Sequence, residues 1–271
     1  MTCVPILIQS FIINSIQERE GDNMIKREYY KDLNYKPFLF YVIFGVSCDE
    51  LQVSASRHHV DGIPDALEIA DLNRDEHNDY IEGFFTGTLG KVLRNNNAEL
   101  FDKCRSERNC VVIRGDVMND ESLDYLRNII GIGKAFFEQG ASGILDMLTF
   151  TIYSEEEWTE KFFEKEINAQ DHVLIMMSEE DGRYWLHTRG LAEFGRPDLS
   201  IYADNKEDCG VCMQILNQMV FYSGQGVFFN GDATLHTHDG HSYKVRAEFV
   251  DDFDNDDFNN AYCKVMILER N

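Results

Sequence analysis

The segment Phe38-Leu-Phe-Tyr-Val-Ile-Phe-Gly-Val46 has an apolar side chain at every position except Gly45. Aromatic and β-branched residues of this kind favour β-strands. The run is also too short to cross a bilayer as a helix. We therefore predict a buried β-strand at this segment, and with it a fold that contains a sheet.

Further strands and helices are predicted along the chain. A second strand is predicted at Leu51–Ser56, and Ile81, Phe85, Thr88 and Val92 recur at the spacing of one helix face. Other strands are predicted at residues 110–113, 144–153, 172–177, 184–187, 199–202, 227–229, 234–238, 241–250 and 261–268, and other helices from residue 119, from the capping box at 154–157 and at 207–222. The pattern predicts an α+β fold, with a mixed or largely antiparallel sheet and helices packed on one face.

A weak internal repeat suggests two related β-α-β halves. In both halves a strand and a helix are followed by a glycine-rich turn into a strand, at Gly143–Asp146 and again at Gly226–Asp232. The halves would meet near residues 168–172, inside a single domain of residues 24–271. The alternative is that the similarity only reflects the common use of glycine at a helix exit.

Residues 1–23 have two interpretations. Glu18-Arg-Glu-Gly21 can be encoded entirely by purines and lies just before Met24, as a translated ribosome-binding site would. Met24 would then be the true start. The alternative is a genuine but disordered leader, because chain ends are often not packed against the fold.

The charge of the chain restricts its partners. Its 271 residues contain 48 acidic and 25 basic side chains, a net charge of −23. General nucleic-acid binding needs clustered Lys and Arg, and anionic lipid repels an acidic surface, so we predict neither nucleic acid nor membrane as a partner. The acidity either serves solubility or complements another protein with a basic surface.

The cysteines indicate a reducing compartment. The seven cysteines are scattered without regular spacing, which is not typical of a disulfide framework. Residues 3–13 are apolar but lack a basic start and a small-residue cleavage motif, so no export signal is predicted. These features predict a cytoplasmic protein.

Several short motifs resemble a bacterial family that is described only as a domain of unknown function. They are Gly115-Asp116, Glu121–Leu126, Ile144–Asp146 and Tyr153–Trp158, followed by Thr188–Leu191, Phe194–Asp198 and Asn230–Asp232. The resemblance covers about residues 40–268. It implies a bacterial cytoplasmic α+β protein without an established activity, and it supplies no catalytic residues.

Three histidines near the C-terminal end form a candidate metal site. Asp239-Gly240 is typical of a two-residue type I′ hairpin turn. Such a turn would place His238 opposite His241, with His236 on the same face. Three imidazoles on one face could bind Zn²⁺ or Ni²⁺. The alternative is that these histidines only border the core.

A second candidate site would bind an anion. His187, Arg189 and Arg196 flank a strand end and a glycine-bounded turn, and two arginines could hold a carboxylate or phosphate bidentately. The alternative, which we favour, is that each arginine braces the turn.

Two further motifs give weaker evidence of a functional site. Cys209 and Cys212 have C-x-x-C spacing, but we predict that both are buried on a helix. The acidic run 251–257 lacks the glycine and the glutamate of a calcium-binding loop.

The sequence therefore predicts a non-enzymatic binding or interaction protein without a cofactor. Its expected partner is a protein with a basic surface. The alternative function is a metal-dependent hydrolase that uses zinc bound by His236, His238 and His241.

Overall fold

The structure is a computed structural model that describes residues 24–31, 33, 35–64, 66–118, 121–237, 240–251 and 261–270. The predicted leader, residues 1–23, lies outside the described residues. The chain divides into two compact units: the first includes Phe38–Ile167, and the second includes Lys26–Pro37 and the residues from Asn168 onward. Each unit contains one sheet and several helices, so the predicted α+β class is confirmed.

The first unit has a five-stranded antiparallel sheet with the strand order β2-β3-β1-β4-β5. The strands are β1 (Phe38–Phe44), β2 (Glu68–Asn73), β3 (Asn109–Asp116), β4 (Gly143–Asp146) and β5 (Thr151–Tyr153). The apolar segment that predicted a buried strand is β1, the central strand of this sheet. Val42 pairs with Val112 on one side and with Leu145 on the other. Leu39, Val42 and Ile43 are fully buried because neighbouring elements cover both faces.

The helices of the first unit are α1 (Ala55–His58), α2 (Arg74–Gly83), α3 (Gly87–Asn96), α4 (Ala98–Ser106), α5 (Asp124–Glu138) and α6 (Glu155–Trp158), which continues as a π-helical turn (Thr159–Phe163). The predicted capping box is confirmed, since Ser154 Oγ accepts from Glu157 N and the Glu157 carboxylate accepts from Ser154 N.

Three predictions about the first unit are wrong for local reasons. Residues 51–56 do not form a strand, because Ser54 caps α1 instead. The helix predicted through Ile81 and Val92 is two helices, since Gly87 begins α3 with a φ of +64° that no continuous helix allows. The strand predicted at 144–153 is interrupted where Asp146 Oδ1 accepts from the amides of Leu148 and Thr149.

The second unit has a six-stranded sheet with the strand order β6-β7-β8-β11-β10-β9. Its strands are β6 (Leu174–Glu180), β7 (Arg183–Arg189), β8 (Asp198–Ala203), β9 (Gly231–His236), β10 (Ser242–Asp251) and β11 (Ala261–Arg270). Only β8 and β11 are parallel neighbours among these described strands. Helix α7 (Ala169–His172) precedes β6, and α8 (Cys209–Gly224) follows β8 and contacts β7 and β8. Residues 227–229, predicted as a strand, form none: the Val227 carbonyl accepts from Arg196 Nε and the Phe229 carbonyl accepts from Cys263 Sγ.

The predicted repeat corresponds to one β-α-β crossover in each unit. In the first unit β3, α5 and β4 form a crossover with β1 between the two strands, whereas β8, α8 and β9 enclose two strands, β11 and β10. The two units therefore have different topologies. The shared glycines are at equivalent helix exits: Gly140 and Gly226 have φ of +98° and +99°, and each follows its helix in a Schellman cap.

Candidate functional site

The register of the β9–β10 hairpin differs from the one that the sequence predicts. His236 pairs with Ser242, and the amide of Thr237 donates to the His241 carbonyl at 2.9 Å. The predicted Asp239-Gly240 turn would place Ser242 opposite Thr237, so the described register differs from the predicted one by one residue. Gly240 has a φ of +84°, and Asp239 lies outside the described residues.

The register separates two of the three candidate metal ligands. Side chains alternate along a strand, so His236 and His241 point to opposite faces of the hairpin. His236 Nδ1 lies 2.8 Å from Ser242 Oγ on the exposed face. His238 lies outside the described residues. Within the described part of the chain, no three His, Cys, Asp or Glu side chains are placed to hold a metal ion. The prediction that His236 and His241 share one face is therefore wrong, and zinc binding by His236, His238 and His241 remains a hypothesis.

We expect the purified protein to carry no stoichiometric zinc, nickel or iron. Two histidines on opposite faces of a hairpin cannot bind the same ion. Surface histidines that no neighbouring group orients by a hydrogen bond also bind metal ions weakly. Elemental analysis of the native protein provides the measurement, with His236→Ala/His238→Ala/His241→Ala as the matched variant. One tightly held metal ion per chain, lost in that variant, would contradict this expectation and support the hydrolase hypothesis.

Arg196, a candidate anion ligand, is bound to the protein's own backbone. It is 1% exposed. Its Nε donates to the Val227 carbonyl at 3.1 Å, Nη1 to the Gly195 carbonyl at 2.6 Å and Nη2 to the Gly226 carbonyl at 2.5 Å. The guanidinium therefore braces the chain where it leaves α8. This geometry favours the structural alternative for Arg196.

The other two candidate anion ligands are buried on β7. His187 and Arg189 are spaced two residues apart and therefore share one face of the strand. The His187 ring stacks on Trp185 with ring centroids 3.9 Å apart, and Trp185 Nε1 donates to Ser200 Oγ at 2.6 Å. Burial closes this face to an anion from solvent. Anion binding by His187, Arg189 and Arg196 remains a hypothesis.

Arg27 is a buried cation whose role the sequence does not reveal. Its Nε donates to the Gly224 carbonyl at 3.0 Å, and its Nη2 donates to the carbonyls of Ser223 and Phe194 at 3.1 and 2.8 Å. It thus satisfies carbonyls at the C-terminal end of α8, where a positive charge also favours the helix dipole. Nearly two hundred residues separate Arg27 from Gly224, so no local pattern signals the contact.

The C-x-x-C motif lies in the first turn of α8. Cys212 is buried as predicted, and burial raises the pKa of its thiol to about 11. Cys209 is only half-buried, so the predicted burial is wrong for this residue. Both are free thiols. A high pKa leaves Cys212 protonated at neutral pH and disfavours redox chemistry at this pair. The acidic run beyond Asp251 lies outside the described residues.

A groove of about 650 Å³ opens where β8 and β11 diverge. These strands pair only over Asp198–Ile201 and Tyr262–Val265, while β11 continues to Arg270. Two of its cations have close contacts: Arg270 Nη2 lies 2.9 Å from Asp208 Oδ1, and the Arg183 guanidinium lies 4.7 Å from the centre of the Tyr202 ring. The three cations of the lining, Arg183, Lys264 and Arg270, are matched in number by the carboxylates of Asp204, Asp208 and Glu269, so the lining has no net charge that would select an anion.

Strand β6 is an edge of the second sheet. It pairs with β7 over seven residues without a bulge, through a turn in which Asp181 and Gly182 have φ of +50° and +79°. Positive φ at both central residues is the mark of a type I′ turn. On its other side, β6 has no backbone partner among the described residues. Leu174 and Met177 on this strand are 39% and 52% exposed.

The turn fixes which backbone groups of β6 face outward. In a two-residue hairpin the residues that flank the turn exchange both hydrogen bonds, and alternate residues do so along the ladder. Glu180, Ser178 and Met176 therefore bond to β7. The amides and carbonyls of Ile175, Met177 and Glu179 point away from the sheet, toward the free edge.

Comparison of the chain with models of protein families, with curated proteins and with solved structures found no match. None of the described helices combines the length and the apolar character that crossing a bilayer requires.

Proposed function

We propose that this chain is a non-enzymatic interaction protein of the bacterial cytoplasm that binds a partner protein by adding one of its strands to β6. The observation that supports the proposal is the free edge of β6. An exposed strand edge is a template for pairing with another chain, and strand addition is a common mode of peptide recognition. The resemblance to a bacterial family supports a bacterial source, and the scattered cysteines support a location in the reducing cytoplasm.

Two of the other three edge strands, β5 and β9, are protected in ways that β6 is not. Strand β5 has only three residues, and at β9 the Gln218 amide donates to the His236 carbonyl at 3.0 Å. Proteins also protect edges with bulges, prolines or lysines. The sequence of β6 contains no proline or lysine and its ladder has no bulge, while two large apolar side chains are exposed on it. An edge of this kind favours aggregation unless a partner uses it.

Met177→Pro tests the proposal without disturbing the ladder. Proline removes the outward amide of Met177, while the inward bonds of Met176 and Ser178 to β7 remain. The probe is a short synthetic peptide that alternates valine and threonine, measured by calorimetric titration. We expect Met177→Pro to bind this peptide about tenfold more weakly than the native protein, because one hydrogen bond and the approach of the added strand are both lost.

Two controls keep the test specific. Met177→Thr changes the same side chain but keeps the amide, and we expect it to bind within about threefold of the native protein, since only side-chain contact changes. Leu268→Arg alters the groove beside β11 and should leave binding unchanged. Binding that survives Met177→Pro in a folded protein would contradict the proposal, and loss of binding in Leu268→Arg would point to the groove instead. Circular dichroism establishes that each variant is folded.

A further inference from the structure

The exposed charges of β6 are concentrated at one end of the strand. Glu179 and Glu180 are exposed at the end beside the turn, and Asp181 is exposed within the turn. The exposed apolar Leu174 lies at the opposite end. The free edge therefore changes along its length from apolar to acidic.

None of these three carboxylates forms an ion pair with a described cation. Glu180 pairs across the ladder with Arg183 and accepts from the Tyr202 hydroxyl at 3.2 Å. Glu179 lies opposite Tyr184, and neither Glu179 nor Asp181 forms an ion pair with any described residue. The net charge of −23 adds a negative potential around this end. A second copy of the chain would bring the same charge and is disfavoured as the occupant.

We infer that the partner strand carries lysine or arginine at the end that lies beside Glu179 and apolar side chains at the end beside Leu174. This inference rests on the proposed function. Residues directly opposite each other on neighbouring strands interact, and opposite charges at such positions favour pairing. Because β6 runs from Leu174 to Glu180, an antiparallel partner meets Glu179 with its N-terminal half. Antiparallel pairing is the more stable arrangement per residue.

Three peptides on the valine–threonine scaffold test the inference. They carry two lysines, two glutamates or two glutamines in the N-terminal half. We expect the lysine peptide to bind about tenfold more tightly than the glutamate peptide, from about two- to fivefold for each cross-strand pair. This preference should decrease as salt is added, since exposed charges are screened.

Glu179→Lys and a matched control locate the effect. We expect Glu179→Lys to abolish or reverse the preference for the lysine peptide. Glu164→Lys changes the net charge equally at an exposed site of the first unit and should leave the preference intact. Equal binding of the lysine and glutamate peptides, or equal effects of both variants, would overturn the inference. If the charge preference is absent but Met177→Pro still weakens the binding of all three peptides, the inference fails and the proposed function holds. If Met177→Pro weakens the binding of none, the proposed function itself fails.

Discussion

Arg196→Ala is expected to lower the free energy of unfolding by about 3–5 kcal/mol. The guanidinium is buried, and its removal leaves the carbonyls of Gly195, Gly226 and Val227 without their donors. Each unsatisfied buried carbonyl costs about 1–3 kcal/mol, and the site is too tightly packed for water to replace the donors fully. Urea unfolding followed by circular dichroism measures the loss.

Arg108→Ala is the matched control for this variant. The Arg108 guanidinium is exposed and, within the described part of the chain, pairs with the exposed carboxylate of Asp75, so we expect a change within about 0.5 kcal/mol. An unchanged stability of Arg196→Ala, together with tighter binding of phosphate by the native protein than by the variant, would contradict the structural role and favour the anion-site hypothesis.

Gly131→Ala is expected to destabilise the first unit by about 3 kcal/mol or more. Gly131 lies in α5 where this helix meets the end of α1. A Cβ atom at this position would lie 1.9 Å from the His58 carbonyl oxygen and 2.6 Å from Val60 Cγ2. The first contact is with backbone, which cannot move aside as a flexible side chain does. The two helices would have to separate.

Gly83→Ala provides the same substitution in open space. Nothing lies within 4 Å of the Cβ that it would add, and Gly83 is the last residue of α2. Alanine should therefore leave stability unchanged or raise it by up to about 1 kcal/mol. Thermal unfolding of both variants provides the comparison. Similar Tm values for Gly131→Ala and Gly83→Ala would contradict the close approach of α1 and α5.

The sequence predicts elements whose signals are local. The apolar run at β1 and the capping box at Ser154 each specify their structure within a few residues, and both are confirmed. The prediction is wrong where one local sequence signal is compatible with two structures. At the β9–β10 hairpin the described register is one residue away from the predicted one, and a shift of one residue moves a side chain to the other face of a strand.

The remaining features depend on contacts between distant residues. Arg27 and Arg196 both serve carbonyls around the exit of α8, and neither role is visible from neighbouring residues. The free edge of β6 is likewise not visible from neighbouring residues. The turn predicts that β6 pairs with β7, but only the order of all six strands shows that nothing described pairs with its other side.

Amide hydrogen exchange along β6 tests the central claim most directly. In the free protein, the amides of Ile175, Met177 and Glu179 should exchange rapidly, since they point to the free edge, while those of Met176 and Ser178 are protected by β7. With the lysine peptide bound, we expect the three outward amides to become protected and the inward amides to remain so. Rapid exchange of Ile175, Met177 and Glu179 in the saturated complex would contradict strand addition to β6.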